Sequence, residues 1–505
     1  MFIDKGKLLF QLNQQYQKGG IQIVSLYAHP GMGKTRLLQE FSKEKQVLYF
    51  KASPVLYEEN FRLFKNLCIR RLGNQFQTAR KFSEIFRLLA KDSSNQPLVL
   101  ILDDVSCLLA QNKRFPAMLH TLEKKTDSQT KLFILLCKPG HLYEKEHKKE
   151  AHAMLLSRFS FFEMQAFYPD KTLKEQLLIY RITGGNPSYM QAFVGQQSVE
   201  KLLMQLFFQE DGLFYRRIPS LTRAYYSGSA VMGSILASLG CESKKLQEVC
   251  DNTGLTPSAA SSLLSSLVSH NLVNRIIPVT EDQGSRRTLY EISDGVFRFW
   301  YTFVYPYQSE IETGMGVDIF QNFVSPSLEH WLKSSFEDVC RDFLALEKEM
   351  GTAPFTFEQI GMWWGQHPTK KRTEYVSIAA SAPKKILLGS CFWTDQWIDL
   401  EALHDLRKHA SLFPDTQQWY YLFSKSDFVS GFEVISGSHV KVFTLEQMCK
   451  EAKNFFETTR YFLKKSYRTK ITSCDSSTFY KYFFNSSTLS NFSHGRFKSF
   501  LPKCP

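Results

Sequence analysis

Two short stretches of this chain place residue types at spacings that can act on a phosphorylated ligand. The first is AHPGMGKT at 28–35, which follows the apolar run 21–27 and precedes a helical pattern resuming at Leu37 and Leu38. That strand, loop and helix setting is what a phosphate-binding loop requires. Backbone N–H groups and the start of the following helix then face phosphate oxygens, Lys34 reaches the β- and γ-phosphates, and the Thr35 hydroxyl holds Mg2+. Ala28 stands where the GxxxxGK[ST] pattern begins with glycine, and Gly31 is the alternative source of backbone freedom. The second stretch is LVLILDD at 98–104, an apolar run closing on two carboxylates. Asp103 suits a Mg2+ ligand acting through water, and Asp104 suits the base that polarises an attacking water. Asp is one methylene shorter than the glutamate often found in that role, so slow hydrolysis is expected. Pro30, Gly31, Met32, Gly33, Lys34, Thr35 and Arg36 are therefore expected to bind ATP, with Mg2+ on Thr35 and Asp103. The plain alternatives are a Gly-rich turn and a solvated loop start.

Residues placed in this way need a sheet to carry them. Apolar runs at 47–50, 98–102 and 132–136 recur at helix-length intervals, the alternation of a parallel sheet, which predicts an α/β domain over 1–170. Residues 171–228 read as a helical lid, with apolar residues at helical spacing in VEKLLMQLFF. Between 229 and 307 a helix-turn-helix precedes a hairpin, the pattern of a winged helix. Thr256 caps its second helix, Pro257 suits the first turn, and Ala260, Leu263, Leu264 and Leu267 share one face. Strands are expected at 272–279 and 287–292, around the turn EDQGS. A further α/β unit is expected over 308–453, and 454–505 is a basic, aromatic-rich tail without a period, read as weakly ordered.

Composition sets the outer bounds. At about 150 residues per domain, 505 residues suggest roughly three domains. Apolar residues at 43% and charged residues at 22% sit near globular averages, which excludes a fibrous or wholly disordered chain. The net charge of +13 points to an acidic partner, yet residues 454–505 carry nine Lys and Arg against Glu457 and Asp475, so the tail supplies +7 of it. Ten cysteines without a C-x-x-C pair suggest a reducing compartment. The N-terminus carries Asp4 and Lys5 with no signal-peptide core, and no stretch reaches bilayer-spanning length. A cytoplasmic protein without a membrane partner is expected.

Four segments together, GMGKTRLL, LILDD, TGGNPSY at 183–189 and YEISDGVFRFWYTFVYP at 290–306, resemble the archaeal-type AAA+ ATPase family, also found in bacteria. The resemblance extends over roughly 1–445. It implies a multidomain α/β protein: a STAND-like P-loop ATPase parallel sheet, a helical lid, a winged helix and a C-terminal restriction-endonuclease-like domain of the PD-(D/E)xK type. The segment FIDK is similar to the family's FvDRE opening, with Lys5 and Gly6 in place of Arg and Glu. Cys137 and Lys138 stand where the family has a polar sensor pair. Arg158 matches the family's arginine after that loop, which reaches phosphate; a surface arginine is the alternative. Gly185 and Pro187 match a GxP turn that lies against the adenine in STAND-type ATPases or is simply structural.

The output domains read differently. The helix SAASSLLSSLVSH presents serines but no Arg, Lys, Asn or Gln to pair with base edges, which favours intramolecular packing or protein contact. Arg275, Arg286 and Arg287 on the wing can touch phosphates, and the aromatic run from Phe297 reads as core. FEDVC at 336–340 and IGMWWG at 360–365 resemble the opening of the nuclease-like domain, but no Asp stands at 375–377, Ser390 takes the Glu position and Phe392 the Lys position. Glu337 and Glu374 are the nearest acids, so cleavage is not expected, while Lys370, Lys371, Arg372, Lys384 and Lys385 keep the region basic. The expectation is an ATPase acting as a nucleotide-driven switch toward a protein partner or its own domains. The alternative is a nucleic-acid-binding scaffold with a vestigial ATP site and a tail that binds weakly and non-specifically.

Overall fold

Strand alternation builds the first sheet as the sequence predicts. β1 (Gly20–Ala28), β2 (Gln46–Lys51), β3 (Leu98–Asp103), β4 (Lys131–Pro139) and β5 (Ala153–Leu156) run parallel in the order β2-β3-β4-β1-β5. In β3 every residue is buried. Leu98, Leu100 and Leu102 pack on one face with Phe64, Phe82 and Phe86 from the helices Tyr57–Leu72 and Phe82–Asp92. Val99 and Ile101 pack on the other with Leu37, Leu38 and Phe41 of the helix Lys34–Ser42. Helices cover both faces, so the strand reads as a continuous apolar run, and each fully buried Leu or Phe contributes about 1.5–3 kcal/mol. β4 separates β1 from β3. The phosphate-binding motif and the acidic pair therefore lie two strands apart at the carboxyl edge of one sheet, where α/β folds place ligands. β5, only four residues long, has no counterpart in the sequence reading.

This computed structural model describes residues 5–124, 130–226, 230–282, 284–367, 372–432 and 439–468. They form two compact units. The first joins Met1–Phe159 with Thr183–Gly195 and Ser269–Asn271; the second comprises Ser160–Ile182, Gln196–Val268 and Leu272–Pro505. The segment read as one lid over 171–228 is thus divided, with Thr183–Gly195 grouped in the unit that carries the phosphate loop.

In the second unit the helices Ala230–Ser238, Leu246–Thr253 and Pro257–Ser269 precede an antiparallel ribbon of β6 (Val273–Ile276) and β7 (Leu289–Ile292), shorter than the strands read from sequence. Leu264 and Leu267 are buried, and the Thr256 hydroxyl accepts from the Ala259 N–H at 3.4 Å. Phe297, Phe299, Trp300 and Tyr301 are core residues, as the aromatic run suggests. After the helix Leu328–Met350 come β8 (Gln359–Gln366), β9 (Thr373–Ala382), β10 (Lys385–Phe392), β11 (Gln417–Ser424) and β12 (Val440–Thr444), in the order β12-β11-β10-β9-β8. β8, β9 and β10 pair antiparallel, whereas β10, β11 and β12 pair parallel. The helix Leu445–Arg468 continues through the boundary set at 453 and 454, so the first part of the presumed tail is helical. Residues 469–505, Lys370, Lys371 and the opening Phe2, Ile3 and Asp4 lie outside the described residues. Among the described residues no helix is long and apolar enough to cross a membrane.

Candidate functional site

The loop after β1 is shaped by two left-handed glycines. Ala28 is the last residue of β1, opposite Pro139 and Leu156, so its extended backbone carries a Cβ without strain. The turn itself falls at Gly31 and Gly33, each with φ 82. A methyl at Gly31 would lie 2.6 Å from Ser188 Oγ and 2.7 Å from Asn186 Oδ1, so only glycine lets the turn at 183–190 close on the loop. That turn is itself fixed: Asn186 Oδ1 accepts from the Ser188 N–H at 3.0 Å, and the Phe159 N–H donates to the Gly185 carbonyl at 2.9 Å. Pro187 faces Gly33. The helix Lys34–Ser42 starts at Gly33 with no side-chain cap, leaving its first-turn N–H groups and positive dipole end for an anion.

Both acids at the end of β3 are held by cations of this same edge. Lys34 Nζ bonds Asp103 Oδ1 and lies 3.6 Å from Asp104 Oδ1, while Lys51 Nζ lies 3.3 Å from Asp104 Oδ2. Asp103 is only 5% exposed. Its Oδ1 also accepts from the Asp104 N–H at 2.9 Å, and its Oδ2 accepts from the Tyr49 hydroxyl at 2.7 Å. Burial pushes the Asp103 carboxyl up, but the bonds from Lys34 and Tyr49 outweigh it and hold the group below its ordinary value. For Lys34 burial acts downward and Asp103 wins, raising it. Burial and the Asp103 carboxylate push the Tyr49 phenol up. Asp104 has φ 52, a left-handed conformation rare outside glycine and commonest for Asn and Asp. Such strain concentrates at functional sites.

The remaining sequence-predicted residues are placed as follows. Thr35 and Arg36 are exposed in the first turn of the helix, with Arg36 3.6 Å from Glu40. Pro30 is exposed and Met32 half-buried. Arg158 is exposed just past β5, and its carbonyl accepts from Lys5 Nζ at 3.1 Å. Cys137 is buried close enough to Asp103 and Lys34 to feel their charges. Lys138, 7% exposed, is neutralised by Glu146 at 2.8 Å and Glu150 at 2.5 Å, and the Tyr27 hydroxyl lies 2.9 Å from a carboxylate oxygen of each. Its charge is spent inside the protein. Tyr49, Lys51, Asn186 and Ser188 are the members that sequence reading misses. Tyr49 and Lys51 do carry a signal, since they alternate with buried Leu48 and Phe50, but only the β2-to-β3 pairing, with Lys51 opposite Asp103, brings them to the acids.

The donor set fits Mg2+. A Thr35 hydroxyl and an Asp103 carboxylate are hard oxygen ligands, and a Mg2+ site normally completes itself with water and substrate phosphate. Among the described residues no three His, Cys, Asp or Glu gather into a self-sufficient metal site.

On the helix Leu328–Met350, Glu337 is pushed up by burial, beside Arg341 and Asp338. Arg341 donates to the Ser377 carbonyl at 3.0 Å and to Asp338 at 2.6 Å, so a guanidinium lies against the strand where the resemblance would set an Asp. Glu374 is taken up by Arg372 at 2.7 Å and His409 at 3.6 Å. On the ribbon, Arg275 donates to the Ser285 carbonyl, and Arg287 pairs with Glu281 and donates to the Trp364 carbonyl.

Comparison with known proteins gives the following likenesses. The DUF234 family, described as archaea bacterial proteins of unknown function, matches residues 300–405. An uncharacterized protein of Methanocaldococcus jannaschii is 22% identical over 409 residues, covering 78% of this chain and 88% of that one. A Walker-type ATPase of Pyrococcus abyssi is similar at 15% identity and TM-score 0.44, over 59% of this chain and 96% of that one. The ORC2 protein of Aeropyrum pernix is similar at 16% identity and TM-score 0.37, over 63% and 93%. A STAND protein with a tetratricopeptide repeat sensor from Pyrococcus horikoshii is similar at 12% identity and TM-score 0.28, over 69% and 50%. The parallel sheet with its phosphate loop is a P-loop ATPase fold, and a separate mixed-sheet part follows toward the C-terminus.

Proposed function

We propose that this chain binds ATP with Mg2+, hydrolyses it, and uses the bound nucleotide as a conformational switch. One observation carries the reading: an uncapped helix start, two left-handed glycines and Lys34 converge on the Asp103–Asp104 pair at the carboxyl edge of a parallel sheet. In this reading Lys34 exchanges Asp103 for β- and γ-phosphate oxygens, and the N–H groups of residues 31–36 bind the phosphates. Thr35 and Asp103 hold Mg2+, which neutralises charge on the phosphate oxygens when bound. Asp104, released by Lys34, accepts a proton from the water that attacks the γ-phosphorus. Pro187 lies on the base side and Arg158 on the phosphate side.

The proposed outputs are the helices and ribbon over 229–307, taken as a winged helix, and the mixed C-terminal sheet, taken as a nuclease-like domain that signals without cutting. They would act on a protein partner or on the chain's own domains in the cytoplasm. Arg275 and Arg287, bonded within their own unit, favour packing over phosphate contact. Calorimetric titration with Mg2+-ATP and measurement of phosphate release test the reading; a chain that binds no nucleotide overturns it. The second reading, a nucleic-acid scaffold, draws on the +7 of 454–505. Since the helix reaches Arg468, the informative truncation falls after that residue. Unchanged binding to nucleic acid at low salt after that cut removes residues 469–505, which carry +4 of the +7, from the function, because charge-driven binding falls steeply with salt.

A further inference from the structure

Three donors reach the Asp103 carboxylate, and they differ in what a nucleotide does to them. On Oδ1 are Lys34 Nζ and the Asp104 N–H; on Oδ2 is the Tyr49 hydroxyl at 2.7 Å. Lys34 is the donor that phosphate recruits. Once it has gone, Tyr49 is the side-chain donor left on the carboxylate among the three. Its ring stands on the outward face of β2, 47% exposed, carried by a strand whose alternate residues Leu48 and Phe50 are buried. The ring has two torsions and the strand fixes its base, so the hydroxyl is delivered with little loss of conformational freedom.

We infer that Tyr49 is a positioning residue for Asp103: by holding Oδ2 it keeps Oδ1, the oxygen that Lys34 releases, turned toward the phosphate loop and its metal. The inference rests on the ATP-binding reading above. Partners of this kind orient a ligating carboxylate, and their loss typically lowers metal affinity about 10- to 100-fold. Phe at this position keeps the ring and removes only the donor, and a half-exposed ring makes misfolding of Tyr49→Phe a small concern.

The test uses the full chain and titrates adenylyl-imidodiphosphate by calorimetry, first in EDTA and then at graded Mg2+. Tyr49→Phe is expected to leave affinity in EDTA unchanged and to raise the Mg2+ concentration for half-maximal tightening about tenfold. In an Asp103→Asn background the same substitution is expected to add nothing further, the signature of two residues acting through one contact. Equal Mg2+ midpoints for Tyr49→Phe and the native chain overturn the inference and leave ATP binding intact. So does an equal loss in EDTA and in Mg2+, which would make Tyr49 a nucleotide contact or a structural residue. Absence of nucleotide binding by the native chain overturns both.

Discussion

The acids at the end of β3 and those of the helix Leu328–Met350 are both ringed by cations, but the cations are held in opposite ways. Asp103 and Asp104 are met by Lys34 and Lys51, whose side chains are 25% and 62% exposed. Each is a flexible amine, and the exposed Lys51–Asp104 pair is worth only about 0–1 kcal/mol. Glu347 is 1% exposed, and its Oε1 is bound by Lys441 Nζ at 2.9 Å, which also donates to the Thr352 carbonyl. Asp338 is shared between Arg341 at 2.6 Å and Arg181 at 2.9 Å. Exposure does not separate the two sets, since the Lys441 and Arg341 side chains are 40% and 25% exposed; the second bond does, because Lys441 and Arg341 also donate to the Thr352 and Ser377 carbonyls. The first set of cations can therefore be recruited by a ligand, whereas the second is committed to the fold. A list of charged residues does not distinguish the two; the second partner of each cation does.

The sharpest way to break this contrast is at Asp104. Asp104→Asn keeps size and removes the basic oxygen, so ATP binding should persist while phosphate release falls about 100- to 10,000-fold. Unchanged turnover would show that another group polarises the water. Next is Lys34→Ala, which deletes a charged donor to the phosphates. At about 1.5–3 kcal/mol for bonds to charged groups, Mg2+-ATP affinity should drop about 10- to 100-fold, and equal affinities would make Lys34 as structural as Lys441.

A smaller effect is expected at Glu347. Burial, opposed by Lys441, lifts its carboxyl from 4.5 up to about 7. A carboxyl raised on folding binds its proton more tightly in the native state. Its contribution to stability is thus complete below about pH 4 and is lost as pH rises through 7, amounting to about 3 kcal/mol. The melting temperature should fall between pH 5 and 8, and Glu347→Gln should flatten that slope and melt higher at pH 8. A variant that melts lower at pH 8 would mark the Lys441 pair as net stabilising. The smallest expected effect is none: Mg2+ or Mn2+ should support no cleavage of DNA or RNA, because the Glu374 carboxylate is engaged by Arg372 and His409. Cleavage that disappears in Glu374→Ala would place a metal centre there.

Much of the first unit is legible in the sequence because its signals are local. A continuous apolar run marks β3, and glycine spacing marks the loop before Lys34. Strand order is not local: nothing in VLYFK says that it pairs with LVLILD, so Tyr49 and Lys51 come to light only with the register of β2 against β3. β5 is too short to stand out. Lys138 sits where a sensor is expected, and its neutralisation depends on Glu146 and Glu150, which share no recognisable spacing with it. The boundary at 453 follows a shift in composition, but the helix across it continues to Arg468. Composition describes solvent exposure better than it describes where a helix stops.

The left-handed backbone of Asp104 bears on how this protein can change over time. An Asp tolerates positive φ because its short side chain can bond locally, a benefit that Glu largely loses. Lengthening the arm by one methylene is thus tied to a remodelled turn. Glycine, in contrast, relaxes the turn and deletes the carboxylate in the same step. On the proposed reading, drift at this position would run downhill in fold stability toward a nucleotide binder that does not hydrolyse, and selection on turnover would be what keeps the acid in place.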